Sequence, residues 1–189
     1  MKKSIKTLLI VIAILAVIAV AAVFATKSAK PKSNLTISSA DDLTTLVDNI
    51  YEGLEVEMPM VMTQALEVTD AETVQAFTGL ENGNNLEYLV VSEPMMSSQA
   101  YSLVLVKVKD GVNANEVAKA MNDNINIRKW ICVSAEKVHT TSSGNVVCLV
   151  MTKADLATTI YNKFKTLAGG IGQEFERTEE QAELPADMY

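Results

Sequence analysis

One histidine, one tryptophan and two cysteines are all that these 189 residues offer of the side chains that most often carry chemistry. Each shortage excludes something. A zinc site takes about four soft or imidazole ligands, and Cys132, His139 and Cys148, with no Cys-x-x-Cys and no second histidine, do not make one. Two cysteines are also too few for a disulfide scaffold. There is no Gly-x-Ser-x-Gly and no cysteine–histidine spacing of the kind that activates a nucleophile. Gly169-Gly170-Ile171-Gly172 follows a helical pattern rather than a strand, so it is not a phosphate loop. Basic residues are missing entirely from positions 33–106, which hold twelve acids and no Lys or Arg.

What is present is an uneven charge layout and one long apolar run. Residues 1–32 carry six Lys and no acid, while the remainder holds ten basic and twenty-three acidic residues, a net charge of −13. Within that remainder, residues 107–172 have nine basic against five acidic, and residues 173–189 have six acids against Arg177. So acidic a domain argues against nucleic acid and anionic lipid as ligands. Either the acids are a solvated face, or the acidic N-terminal half meets a cationic partner or the basic C-terminal half. From Leu8 to Ala25 there is no charge, Pro or Gly. As a helix that run is roughly 27 Å long, close to the thickness of a bilayer core. It also exceeds the roughly 7–15 apolar residues of a secretory signal. The run therefore predicts an N-terminal transmembrane signal anchor over 7–25, with 1–6 cytoplasmic and the rest of the chain outside a bacterial cell membrane. Secretion after cleavage is the alternative, because Val23 and Ala25 stand where a signal peptidase prefers small residues. Lipidation is excluded, since the first cysteine is Cys132.

Periodicity fills in the rest. Residues 26–37 read as a linker. Ser39 precedes Asp41 and Asp42, and Leu43, Leu46, Val47, Ile50 and Leu54 recur at helical spacing. Pro59 prevents a regular helix through Met58–Met62. Thr69 with Glu72 makes a capping box for a short helix that Gly79 ends. Leu86–Val91 and Ala100–Lys109 read as strands, Asn113–Ile125 as a helix, Ile131–His139 and Asn145–Thr152 as strands, and Ala154–Leu167 as a last helix. The acidic residues 169–189 are expected to be a disordered tail. The prediction is an α+β domain over 38–168, an antiparallel sheet of about four strands with helices on one face. Strand-strand-helix occurs twice, with Ser97-Ser98-Gln99 matching Ser142-Ser143-Gly144. A duplication and a chance likeness of two amphipathic units both account for that.

Arg128-Lys129-Trp130-Ile131-Cys132-Val133, followed by Ala135-Glu136-Lys137-Val138, resembles a bacterial family of exported domains of unknown function. Ser102–Gly111 and Gly144–Met151 are similar to it too, so the resemblance covers roughly residues 38–168. It implies a tethered or exported domain with a Lys-Trp-Ile junction between helix and strand. It implies no activity.

Few residues rise above the background as candidates. Trp130, beside Arg128 and Lys129, is either an anchor between helix and sheet with its N–H satisfied locally or a stacking platform in a cation-lined site. These three residues are the candidate interaction surface. If Thr140–Gly144 is the loop of the last hairpin, His139 faces Asn145 and Cys132 falls opposite Thr152. The two thiols are then about four residues out of register, too far apart to bond. Both are expected buried and unpaired. Met58, Met60 and Met62 alternate at a spacing that could hold Cu(I) through thioethers, or that merely fills a core. Acids abound, yet nothing marks a glycosidase pair. The reading is thus a non-catalytic interaction or accessory module of the cell envelope, without catalytic, cofactor or metal residues, engaging the membrane through its N-terminus and an envelope protein or polymer. The alternatives are a small envelope hydrolase or transferase, which a histidine bonded to an acid would favour, and a metal or small-molecule binder.

Overall fold

The structure, a computed structural model, describes residues 32–178. The expected anchor over 7–25 and the end of the expected tail lie outside the described residues. No described helix is long and apolar enough to cross a membrane. Four helices are described, α1 (Ala40–Tyr51), α2 (Ala71–Thr78), α3 (Ala114–Asn124) and α4 (Ala154–Ala168). Six strands accompany them: β1 (Val61–Leu66), β2 (Leu86–Pro94), β3 (Ser102–Val108), β4 (Lys137–Ser143), β5 (Val146–Thr152) and β6 (Phe175–Thr178). All the strands join one sheet in the order β1-β2-β3-β5-β4-β6, every neighbour antiparallel.

This corrects the expected architecture of about four strands with helices on one face. The sheet has six strands, and helices cover both faces. Val74 of α2 and Val117, Ala118 and Met121 of α3 pack with Val104, Val106, Val147 and Leu149 on one face. Leu43, Val47 and Ile50 of α1 and Ile160 and Phe164 of α4 pack with Leu103, Leu105, Cys148 and Val150 on the other. The sequence reason lies in the two central strands. β3 and β5 hold the apolar runs Leu103–Val106 and Val146–Met151 and are buried at nearly every position, which is what burial of both pleats requires. Half-covered strands would have alternated. The two strand-strand-helix units also place α3 and α4 on opposite faces, so their likeness does not extend to packing.

Helix ends follow local chemistry. Ser39 caps α1 in a reciprocal capping box with Asp42, whose carboxyl is held below its ordinary range chiefly by the Ser38 N–H. α2 is capped by Asp70 rather than by the expected Thr69, Asp70 accepting from the N–H groups of Glu72 and Thr73. It ends at Gly79, in the left-handed region at φ 75°. A Cβ at Gly79 would lie 2.5 Å from the backbone nitrogen of Ile125, so α2 and α3 close on each other there.

Two strands fall where none was expected. β1 follows Pro59 and pairs from Val61 opposite Pro94 to Leu66 opposite Leu89. β6 lies in the segment read as tail, pairing Phe175 with Thr140 and Thr178 with Lys137. Leu35 and Ile37, inside the expected linker, pack against the α1/α4 face. The last hairpin is shifted as well: Thr140–Ser143 is strand, and the turn is Gly144-Asn145 between paired Ser143 and Val146. Gly144 at φ 61° supplies the positive φ that a two-residue hairpin turn needs.

Candidate functional site

After α3 the chain cannot continue as helix. Ile125 turns extended, and the Asn126 side chain accepts from the Arg128 N–H at 2.9 Å. A loop then runs over one end of the sheet, tied by Ala135 N–H to the Ile127 carbonyl and by Ile131 N–H to the Ser97 carbonyl, each 2.9 Å. The expected strand at Ile131 begins only at Lys137, because these ties hold the loop away from the ladder.

The tied loop points Lys129 back over the α2/α3 face. Its ammonium lies 2.7 Å from Glu93 Oε1 and 3.3 Å from Ser102 Oγ, and Ser102 donates to the same Glu93 oxygen. It also stands 4.7 Å from the Phe77 ring centre and 5.3 Å from that of Trp130, within cation–π range. Burial pushes the Lys129 pKa down while the Glu93 carboxylate opposes the shift. With Lys129 and Glu93 side chains only 15% and 16% exposed, the pair is close to buried.

This cluster closes one end of a groove of about 1350 Å³ between α2 and α3. Phe77, Trp130 and Val117 give it apolar lining, and Glu72, Glu81 and Glu116 add carboxylates. Among the described residues Lys129 is the only cation lining it, and Glu93 already neutralises that charge. The groove is therefore an aromatic-lined, anionic trough. Trp130 is half-buried against the α2/α3 core and also lines the groove. Its N–H is not satisfied locally as expected: Trp130 Nε1 is buried with no partner. Leaving such a donor unmet costs about 1–3 kcal/mol. Of the candidate surface, Lys129 and Trp130 line the groove, whereas half-exposed Arg128 does not.

Nothing in the groove is a nucleophile with a base. Ser102 is fully buried and gives its proton to Glu93, and Lys129 is held as the ammonium half of an ion pair. His139 makes a different arrangement on the α1/α4 face. It faces Val150 rather than the expected Asn145, stacks on Tyr161 at 4.6 Å, and sits 3.4 Å from Glu176 and 3.3 Å from Thr158 Oγ1. The order carboxylate, imidazole, hydroxyl is that of a hydrolytic triad. However, Thr158 donates its proton to the Ala154 carbonyl at 2.8 Å, so the ring has no hydroxyl proton to accept, and the groove does not reach these residues. Removal from water lowers the His139 pKa and outweighs the pull of half-exposed Glu176.

Both thiols are free. The expected register is wrong, since Cys148 stands opposite Thr141 and Cys132 precedes β4 altogether. Cys148 is buried, and burial pushes its thiol pKa far up. Cys132, expected buried, is exposed. Met58 is half-buried against the α1/α4 core while Met60 and Met62 are exposed, so the three thioethers do not share one environment. Among the described residues no cluster of His, Cys, Asp and Glu could hold a metal.

Sequence reasoning missed Phe77, Glu93, Glu72 and Glu116. Glu93 and Lys129 are 36 residues apart, and no local pattern announces a pair at that distance. No protein-family model, curated protein or solved structure matches the chain. The resemblance around Lys129-Trp130 accordingly stands on those residues alone.

Proposed function

We propose that this chain is a non-catalytic binding module of the bacterial cell envelope that works outside the cytoplasmic membrane. On this reading the trough between α2 and α3 holds a cationic segment of an envelope partner. The observation that carries the reading is the trough itself: carboxylates from two helices, two aromatic rings, and no cation left unneutralised among its lining residues. A lysine or arginine head entering it would find opposite charge and ring faces of the kind that attract cations. The apolar run Leu8–Ala25 and the resemblance to exported domains support the location.

Photo-crosslinking in cells tests this reading. A photoreactive residue in place of exposed Gln75, on the trough wall, should give adducts to Lys- or Arg-rich extracytoplasmic segments. Changing Glu72→Gln and Glu116→Gln together should cut their yield several-fold. Adducts to acidic segments, or yields indifferent to those changes, would overturn the proposal.

A further inference from the structure

The two edges of the sheet are built differently. β6 is four residues long and carries Glu176 and Arg177, and charged, short edges resist pairing with foreign strands. β1 is six residues, Val61-Met62-Thr63-Gln64-Ala65-Leu66, with no charge and no proline. Among the described residues nothing pairs with its outer side. The Met95 N–H donates to the Met60 carbonyl, and the register from Val61 to Leu66 is unbroken. In an antiparallel ladder the inward and outward groups alternate. Residues 60, 62, 64 and 66 therefore turn their backbone groups to β2, and Val61, Thr63 and Ala65 turn theirs outward.

Beside this open edge lies an apolar patch. Met60 is 71% and Met62 54% exposed, and Met95, Met96 and Ile131 are as open. Together these are five of the six large apolar side chains exposed among the described residues. The ladder joins Met60 to Met95, and the Ile131 N–H reaches Ser97. Methionine is flexible enough to pack against varied partners. The charges flanking β1 in sequence are acidic: Glu55, Glu57, Glu67 and Asp70 are exposed, residues 33–106 contain no Lys or Arg, and the nearby Lys129 is already paired with Glu93.

We infer that β1 is a docking edge for an extended basic peptide segment, one that alternates apolar residues with Lys or Arg and adds a seventh strand to the sheet. Its backbone bonds to Val61, Thr63 and Ala65, its apolar side chains cover Met60 and Met62, and its cations face the glutamates. A second copy of this chain is the wrong occupant. Antiparallel self-pairing through Thr63 sets Glu57 of one copy diagonal to Glu67 of the other, and parallel in-register self-pairing sets like acids side by side. This surface is separate from the trough, and the inference stands whether or not the trough binds cations.

The test uses the full-length protein and the labelled peptide acetyl-Lys-Val-Lys-Val-Lys-Val-Lys-amide, followed by fluorescence anisotropy. Saturable binding is expected, with the Glu-for-Lys peptide binding at least tenfold more weakly. Ala65→Pro removes an outward N–H that β2 does not use and should weaken binding at least tenfold, with the melting temperature kept within a few degrees. Should that variant melt early, Ala65→Lys decides: it keeps the N–H, adds like charge and should weaken binding several-fold. All these titrations are made in the Glu72→Gln, Glu116→Gln background, where the trough no longer competes for the peptide's lysines, so the binding read there is that of the β1 edge and the outcome is independent of the trough reading. Affinity that survives in folded Ala65→Pro or in Ala65→Lys, equal binding of the acidic peptide, or dimerisation abolished by Ala65→Pro would each overturn it.

Discussion

Replacing Lys129 with methionine isolates what the near-buried ion pair contributes. The methionine stem refills much of the space between Phe77 and Trp130, so the change is chiefly one of charge. Glu93 is left with Ser102 as its remaining donor, in surroundings where its side chain is 16% exposed. Removing one partner of a buried pair costs about 3–5 kcal/mol, whereas exposed pairs are worth about 0–1 kcal/mol. The geometry here is nearer the first limit with a little solvent access, which gives about 3 kcal/mol. That is a large part of the 5–15 kcal/mol typical of a whole domain. Adding Glu93→Gln removes the stranded charge and should restore about 2 kcal/mol or more. Urea unfolding followed by circular dichroism measures both, since Trp130 emission is too close to the change to be neutral. A loss under 1 kcal/mol with no recovery in the double variant would mean the pair is solvated, and the dry-cluster description would be wrong.

Three further outcomes follow from the geometry. In the native protein a thiol reagent should label Cys132 quickly and Cys148 only on unfolding; equal rates would contradict the burial described. His139 titrates below its ordinary range in the folded state, so the unfolded chain binds its proton first as pH falls. The stability His139 contributes should therefore be intact above about pH 6.5 and lost on acidification below it, and denaturation of His139→Gln across pH 5–8 should show a flatter slope. Gly79→Ala should cost above about 2 kcal/mol, from the left-handed backbone and the 2.5 Å approach to Ile125 N, and a thermal melt within a degree or two of the parent would refute this.

How much of this was legible in the sequence depends on whether the determinant is local. Ser39 with Asp42, Asn113 before α3 and Gly79 after α2 mark helix ends by hydrogen bonds within four residues, and all three were readable. Thr140–Ser143 misled, because hydroxyl residues in a row look like a loop. In the fold each hydroxyl is satisfied at long range, Thr140 by Asn122, Thr141 by the Gln173 carbonyl, Ser142 by Asn115 and Ser143 by Ser33. β6 was hidden by its charges, which suit an edge and equally suit a tail. The choice of face for each helix leaves no trace in its own periodicity; only the apolar runs Leu103–Val106 and Val146–Met151 within β3 and β5 hinted that both faces are covered. Lys129 and Trp130 stood out as a motif, but their partners Phe77 and Glu93 come from other elements and carry no mark of the association.

The central claim, that the α2/α3 trough takes a cation, has a built-in reporter in Trp130, the sole tryptophan. Titrating the full-length protein with pentalysine should change Trp130 emission saturably, more weakly at 0.5 M than at 0.05 M salt. Pentaglutamate should leave the emission unchanged, and the pentalysine response should largely vanish in the Glu72→Gln, Glu116→Gln variant. An unchanged emission with pentalysine, or the same response to both peptides, would contradict the account.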